Sequence, residues 1–386
     1  MKRYFLFAGE ASGDLHGSRL MQALRASGNS VSLCGVGGPR MRQEGLECFF
    51  EMENFQVMGF SDVLKSLPQL WKLFYEVRDC ILKVKPDSVI LIDYPGFNLR
   101  LGRALRKQGF KGKLVQYICP TIWAHGKKRI EILATYFDLV LSIFPFEAAY
   151  FSHTPLKIAY IGNPVVETIR TYRYQPDWST QIGLPTTKNL IALFPGSRQE
   201  EIIRHVPQQL QAAAELKQRH PHLLFALSCA QESLRENLYH LVEQGPLRLN
   251  EDLYIIPSCH HYELMKTCRT ALAKSGTVTL ELALHGVPTV VHYELSMLNF
   301  IVTKYILQLQ LPHYCIVNIL GKQGIFPEFI GRKISPTDLK EQLDMLYFDT
   351  NRRQHIQTVC EILKQQLGNQ PSHQCAAQAI QELTQC

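Results

Sequence analysis

Several short segments of this sequence place small, acidic or basic residues where the chain leaves an apolar run, and each suits a definable chemistry. Asp93 is the most informative. The run Ser88–Ile92 reads as a buried central strand, and Asp93 stands at its carboxyl end, before Tyr94-Pro95-Gly96-Phe97-Asn98. Pro95 biases Tyr94 towards an extended conformation, so the chain leaves the sheet sharply. A partly desolvated carboxylate there suits general-base work on a hydroxyl. A helix cap or an ion pair with a neighbouring arginine is the structural alternative. The first strand runs into Gly9-Glu10-Ala11-Ser12-Gly13-Asp14. Small residues there let the backbone approach a ligand, and the following helix offers free N–H groups and its positive dipole end. A tight turn with Ser12 or Asp14 as the cap explains the same residues.

Two later segments repeat the order strand, small-residue loop, helix. Phe194-Pro195-Gly196-Ser197-Arg198 joins backbone N–H groups to a guanidinium fork suited to a diphosphate, unless Arg198 is paired with a glutamate such as Glu201. Lys274-Ser275-Gly276-Thr277 precedes a helix carrying Glu281, a carboxylate placed to accept hydrogen bonds from ribose hydroxyls. Two anion seats in one domain favour a nucleotide diphosphate more than either does alone. Gly35-Val36-Gly37-Gly38-Pro39 looks like part of a dinucleotide fingerprint, but it follows the second candidate strand, and Arg40 stands where the third glycine is needed. A nicotinamide cofactor is therefore not expected. P-loop, zinc-protease and hydrolase-elbow patterns are absent. Cys259-His260-His261 with Cys268 is the nearest approach to a metal cluster, and adjacent ligands suit a tetrahedral site poorly, so no metal is expected.

Two stretches carry surface character. Arg100, Arg103, Arg106, Lys107, Lys111 and Lys113 lie in a segment without acids. They form either a solvated helix face or a face for phosphates and acidic headgroups. From Phe55 to Leu64, and on through Leu67, Leu70, Trp71 and Phe74, large side chains recur at helical spacing. Such a stripe is ordinarily core; the alternative is an apolar face for acyl chains or a bilayer.

The elements that must position these residues alternate. Strands are predicted at Tyr4–Ala8, Val31–Cys34, Ser88–Ile92, Leu114–Ile118 and Leu139–Ile143, with a first helix from about Asp14 to Ser27. The pattern pauses between Ile161 and Thr186 and restarts at Leu190–Phe194, Leu223–Leu227, Leu253–Ile256, Thr270–Ala273 and Thr289–His292. This predicts two doubly wound parallel sheets whose strand tips face a cleft. Ser335-Pro336-Thr337-Asp338 is a good helix start, and helices follow it. The expected domains are 1–165, 166–345 and a helical segment 346–386 packing back on the body. The 386 residues and a composition of 46% hydrophobic and 19% charged residues suit two globular domains. The net charge is +7, without a recognisable nucleic-acid-binding pattern. No run of about 18 apolar residues is present. Glu10 and Asp14 come too soon after Lys2-Arg3 for a signal-peptide core, so export by that route is not expected. The 11 cysteines, with no C-x-x-C pair, read as free thiols in a reducing cytoplasm.

Taken in order, Ala8–Asp14, Gly35–Met41, Val57-Met58-Gly59, Ile92–Asn98, Phe194–Arg198 and Ser275-Gly276-Thr277 resemble the lipid-A-disaccharide synthase family over nearly the whole chain, most of all its chlamydial form. The resemblance implies a GT-B fold and transfer of 2,3-diacylglucosamine from UDP to the 6-hydroxyl of 2,3-diacylglucosamine 1-phosphate, with inversion, in lipid A biosynthesis. It implies Asp93 as general base, Arg198 as diphosphate ligand, and Glu10 and Ser12, beside Gly13, as the first-loop site. It further implies Asn318, in Cys315-Ile316-Val317-Asn318, as an active-site asparagine. The resemblance also implies that Val57, Met58, Phe60, Leu64, Leu67, Trp71 and Phe74 fall in a region that contacts acyl chains. One departure is Asn163, where many relatives carry histidine. The UDP side adds Ser275, Gly276, Thr277 and Glu281. No cofactor is expected, because Arg198 and the helix beginning near Thr277 can neutralise departing UDP without a metal. The expected partners are the UDP-sugar donor, the acylated sugar-phosphate acceptor and an anionic membrane surface, with no nucleic acid and a possible homodimer. The implied location is cytoplasmic, peripheral to the inner face of the inner membrane. Competing readings are another transferase or epimerase of UDP-N-acetylglucosamine type, or a non-catalytic lipid- or nucleotide-binding protein.

Overall fold

The structure is a computed structural model that describes the chain except residues 29, 56–59, 186–187, 296, 298–310 and 386, and except the side chains of 60–67, 124, 125 and 127. Short runs rich in Val, Ile, Leu and Phe form the interior strands, buried on both faces as parallel strands flanked by helices must be, and edge strands complete each sheet. In the first sheet these are β1 (Lys2–Ala8), β2 (Val31–Gly37), β3 (Glu47–Glu51), β4 (Ser88–Ile92), β5 (Lys113–Tyr117), β6 (Leu139–Ser142) and β7 (Lys157–Tyr160). They lie in the order β3-β2-β1-β4-β5-β6-β7, every pair parallel. The second sheet has β8 (Leu190–Phe194), β9 (Leu224–Ser228), β10 (Leu253–Ile256), β11 (Thr270–Lys274), β12 (Thr289–Glu294) and β13 (Glu328–Gly331), ordered β10-β9-β8-β11-β12-β13.

Both sheets reverse direction once, between β1 and β4 and between β8 and β11, and ligand loops gather at such switch points. The register sets the loops side by side. Ala8 pairs with Ile92, so the chain leaves β1 and β4 at adjacent tips; Phe194 pairs with Ala273, so β8 and β11 do the same. Three strands escaped the sequence reading: β3, β7 and β13. All stand at sheet edges with no residue fully buried, so their composition lacks the apolar signature of the interior strands.

Helices fill both faces. They include α1 (Ala11–Ala26), α2 (Pro39–Gln43), α3 (Phe60–Val84), α4 (Pro95–Lys107), α5 (Ile122–Tyr136), α6 (Pro164–Thr171), α7 (Trp178–Gln181), α8 (Gln199–Arg219), α9 (Arg235–Glu243), α10 (His261–Thr267) and α11 (Thr277–Leu284). Ser335 caps the helix Pro336–Phe348 by accepting the Asp338 N–H, with Pro336 in the first turn, as the sequence predicts.

The chain divides into one unit of Met1–Glu167 with Leu367–Cys386 and another of Thr168–Gln366. This corrects the expectation that 346–386 is one helical group. The helix Thr350–Leu367 belongs largely to the second unit. The helix Ser372–Gln385 returns to the first, because its Ala376, Ala377 and Ile380 stripe buries against the same core as Leu20, Met21 and Leu24 of α1. Tyr4 and Thr384 share a buried hydroxyl–hydroxyl bond of 2.9 Å there. The residues between 165 and 186, read as a linker, contain α6 and α7. Among the described residues, no helix is long and apolar enough to cross a membrane.

Candidate active site

In the first unit, the loops after β1 and β4 meet. Asp93 takes a positive φ of 32°, a conformation that L residues other than asparagine and aspartate rarely tolerate. Its own N–H donates to Tyr117 O at 3.1 Å, fixing the turn to the end of β5. Ser12, exposed at the start of α1, donates its hydroxyl to Asp93 Oδ2 at 2.8 Å. The first loop therefore reaches the Asp93 carboxylate through a side chain. Gly9 has a local reason to be glycine: a Cβ there would lie 2.8 Å from the Tyr94 ring. Glu10 is half-buried, and its charge, second to burial, holds the Tyr94 hydroxyl above its ordinary pKa.

Asp14 resolves the two readings of the first loop. It caps not its own helix but the next one, accepting the N–H groups of Gly38 (2.8 Å), Met41 (3.0 Å) and Arg40 (3.0 Å) at the start of α2. A Cβ on Gly38 would strike the Asp14 carboxyl at 2.6 Å. The glycine-rich segment 35–38 thus seats this cap, and Gly35, at φ 141°, packs its Cα against the β1 backbone at Leu6.

Beneath Asp93 lies a residue the sequence reading passed over. His16 of α1 is held down to about 4, chiefly by burial, while the Asp93 charge pulls it up and Arg19 lowers it. Its ring packs near Tyr117 and His373, at centroid distances of 6.3 and 5.9 Å. Tyr117 and His373 are joined by a 2.8 Å bond. Nothing in local spacing announces this cluster, because His373 arrives from the far end of the chain.

In the second unit, Arg198 begins α8 with an extended backbone and an exposed side chain whose guanidinium carries no hydrogen bond among the described residues. Its expected alternative partner, Glu201, is engaged elsewhere. Glu201 accepts the Ser197 N–H at 3.0 Å and pairs with Lys274 at 2.8 Å. Burial raises its carboxyl, but the Lys274 bond and charge, then the Ser197 amide and Arg198, more than reverse that and leave it below the ordinary range. The loop amide at Ser197 is thus already filled by the protein's own carboxylate. Lys274 closes the gap to the second loop: its ammonium lies 3.8 Å from where a Cβ on Gly276 would be, and 4.9 Å from the centre of the Tyr293 ring. Lys274 and Glu201 were readable only as loop neighbours, not as the tie between loops.

Ser275 donates its N–H to His292 O at 2.9 Å, and Gly276 and Thr277 are exposed at the start of α11. Glu281 accepts the Tyr262 hydroxyl at 3.0 Å and lies 3.6 Å from His261 Nε2. Burial raises its carboxyl, and His261, Tyr262 and His285 together bring it below its ordinary value. His261 in turn shares a 3.0 Å bond with Ser228 at the tip of β9. Among the described residues there is no group of three or more His, Cys, Asp or Glu placed to hold a metal ion.

A family model described as Lipid-A-disaccharide synthetase matches residues 4–383. The chain belongs to the lipid-A-disaccharide synthetase family. It is 33% identical over 369 residues to the lipid-A-disaccharide synthase of Trichlorobacter lovleyi, covering 95% of this chain and 94% of that protein. Identity to the enzyme of Chlamydia pneumoniae is 41% over 346 residues, 89% of this chain and 56% of that protein. For Chlamydia trachomatis serovar D it is 43% over 333 residues, 85% and 54%. The chain spans about half the length of the chlamydial relatives it matches. Among solved structures, a putative UDP-N-acetylglucosamine 2-epimerase of Listeria monocytogenes aligns with a TM-score of 0.61 at 13% identity, covering 99% of this chain and 94% of that one. The UDP-GlcNAc 2-epimerase of Methanocaldococcus jannaschii gives 0.60 at 13% identity with both chains fully covered. At such identities the likeness is one of fold.

Two residues assigned by resemblance to the lipid-A-disaccharide synthetase family need correction. Asn318 is fully buried and its amide is spent on a loop: Nδ2 donates to Phe326 O at 2.8 Å, and Oδ1 accepts from Ile325 and Phe326 at 2.9 and 2.8 Å. It holds the turn before β13. Phe74 is 8% exposed and packs against Phe97, whose ring stacks on Phe7 at 4.5 Å, so it is core. Trp71 differs, being 49% exposed and stacked with Tyr75, itself 46% exposed, with Arg78 4.7 Å from the Tyr75 ring. Val57 and Met58, and the side chains of Phe60, Leu64 and Leu67, lie outside the described residues. In the basic stretch Arg106 is structural, binding the carbonyls of Phe110, Gly112 and Tyr136 and pairing with Asp138, whereas Arg100, Arg103, Lys107 and Lys111 are exposed. Asn163, the departure from the family pattern, spends its side chain on Ile143 O and on the Val165 N–H at the start of α6.

Proposed function

We propose that the chain is an inverting glycosyltransferase that joins 2,3-diacylglucosamine from its UDP derivative to the 6-hydroxyl of 2,3-diacylglucosamine 1-phosphate, giving the β-1,6-linked disaccharide 1-phosphate and UDP. Family membership supports this reading, and the observation that carries it is Asp93, a carboxylate fixed at the switch-point tip of β4 and bonded by Ser12. A sugar hydroxyl is a poor nucleophile, so a base must take its proton as the new bond forms. In this reading Asp93 takes the proton of the acceptor 6-hydroxyl while O6 attacks the anomeric carbon from the face opposite UDP. The bond from that carbon to the phosphate oxygen breaks, and its electron pair leaves with UDP. Arg198 and the N–H groups of Gly276 and Thr277, beside the Ser275 hydroxyl, meet the developing diphosphate charge. Glu281, tied by Tyr262, is placed on the nucleoside side, and Glu10, Ser12 and Gly13 on the acceptor side.

The exposed Trp71–Tyr75 face of α3 and the arginines and lysines near 100–111 support contact with an anionic membrane surface, where both acylated substrates reside. Incubating the pure chain with UDP-diacylglucosamine and diacylglucosamine 1-phosphate, and weighing the products, tests the reading. An acylated disaccharide phosphate is expected, with turnover kept in excess chelator. A 2-epimer of the donor, or UDP binding without transfer, would overturn it.

A further inference from the structure

A cavity of about 350 Å³ opens at the other end of the second sheet, where strands begin rather than end. Arg269 immediately precedes β11, His285 and Val287 precede β12, and Thr350 and Arg353 come from the helix Thr350–Leu367. The site loops leave the opposite tips of the same strands, so this cavity is separate from them. Among the described residues, its wall holds Lys266, Arg269 and Arg353 and no carboxylate.

The two guanidinium groups converge. Arg269 Nε donates to Tyr347 O at 3.1 Å, and Arg353 Nη1 donates to that same carbonyl oxygen. Arg269 also lies 4.9 Å from the centre of the Tyr347 ring, while Arg353 Nη2 donates to Thr350 at 3.1 Å. The terminal nitrogens of Arg269 carry no hydrogen bond among the described residues, so its fork is open. Burial first and the Arg269 charge second hold Arg353 below its ordinary value, and Tyr347 and Asp349, which pull it up, do not reverse this. Lys266 is fixed beside them, its ammonium 4.1 Å from the Tyr174 ring centre. Tyr174 also shares a 2.9 Å bond with His285 Nε2, whose other nitrogen is bonded to Glu281 O. The histidine, lowered by burial, adds no charge to oppose. Three cations line a sugar-sized space whose described wall carries no carboxylate, and guanidinium forks match the oxygens of a phosphate.

We propose that this cavity binds a phosphate monoester group, held by the Arg269–Arg353 pair with Lys266 as the third cation. The phosphate belongs either to a soluble molecule of sugar size or to a lipid headgroup. Titration of inorganic phosphate and of glucose 1-phosphate into the full chain, followed by calorimetry, is one arm. Sedimentation with phosphatidic acid vesicles, against phosphatidylcholine vesicles, is the other. Lys266→Gln and Arg353→Gln are expected to weaken binding about tenfold or more, the size of one lost charge-assisted bond. Lys266 makes no hydrogen bond among the described residues, so Lys266→Gln is expected to keep the wild-type urea midpoint and reads binding even where Arg353→Gln loosens the fold. Loss in the calorimetric arm assigns a soluble ligand, and loss in the vesicle arm alone assigns a headgroup. Absence of binding in both arms, or binding unaltered by Lys266→Gln, overturns the proposal.

Discussion

Asp93 combines two constraints that are separable by substitution. Its left-handed backbone costs a non-glycine residue about 1–3 kcal/mol, and the Asp93 N–H bond to Tyr117 and the neighbouring turn hold it there. Its carboxylate is the proposed base. Asp93→Asn keeps the backbone and the hydrogen-bonding shape but removes the basicity, so turnover is expected to fall at least ~10²-fold with the urea midpoint unchanged. Asp93→Gly accepts the positive φ freely, so stability should hold or rise while turnover is lost. Near-normal turnover of either variant would remove Asp93 from the role. The place of Asp93 at a strand tip was legible in the sequence because an apolar run of strand length ends at it and Tyr94-Pro95 follows. Asn318 was misread because an amide that holds a loop and an amide that faces a ligand leave the same trace in sequence. The difference lies in Ile325 and Phe326, whose backbone groups consume it.

The same distinction runs through the elements. The central strands, their order of appearance and the loops at both switch points follow from apolar runs ended by glycine, proline and acid. The edge strands β3, β7 and β13 and the return of the helix Ser372–Gln385 to the first sheet do not, since they are decided by distant partners. The α3 stripe shows how finely periodicity must be resolved: Trp71 and Phe74 are three residues apart, yet one is exposed and the other is core. Trp71→Ser with Tyr75→Ser is expected to reduce binding to anionic vesicles without moving the thermal midpoint, whereas Phe74→Ser should lower stability by about 3–5 kcal/mol. Vesicle binding unaffected by the exposed pair would leave α3 without a membrane role. Between β8 and β11, Lys274 and Glu201 join two loops that sequence keeps 73 residues apart. Removing either alone strands the other in a mostly buried place. Lys274→Met and Glu201→Gln are each expected to cost about 1–3 kcal/mol, and the double variant less than their sum. Strict additivity in a double-mutant cycle would show that the pair does not couple the loops.

Across the whole molecule, buried ionisable groups give the two units different responses to pH. In the first unit His16 is held down to about 4 and His373 to about 3; in the second His205 is held to about 4 and His292 to about 3, each chiefly by burial. An unfolded histidine titrates near 6.5. Between that value and about 4 the unfolded chain takes up protons that the folded chain refuses, so this contribution is complete above pH 6.5 and is lost as pH falls. Each such group contributes a slope of up to ~1.4 kcal/mol per pH unit in its window. Glu147 acts with the opposite sign and only in the first unit. It is fully buried, accepts the Ile143 and Phe144 N–H groups at 3.2 Å through one oxygen, and is pushed up to about 8 by burial. The folded state keeps its proton between pH 4.5 and 8 while the unfolded state has lost it, so stability falls as pH rises through that window. From pH 6.5 to 8 the imidazoles are silent and Glu147 acts alone. The first unit should therefore weaken over that interval while the second stays level, and below pH 6 the second, with no such carboxyl opposing its imidazoles, should weaken more steeply. Trp178 is buried in the second unit, and Trp71 and Trp123 belong to the first, so single-tryptophan variants report each unit's urea midpoint separately. Glu147→Gln should abolish the fall of the first unit between pH 6.5 and 8 and leave the second unit untouched. A fall that persists in Glu147→Gln would mean that another group, not this carboxyl, carries the proton.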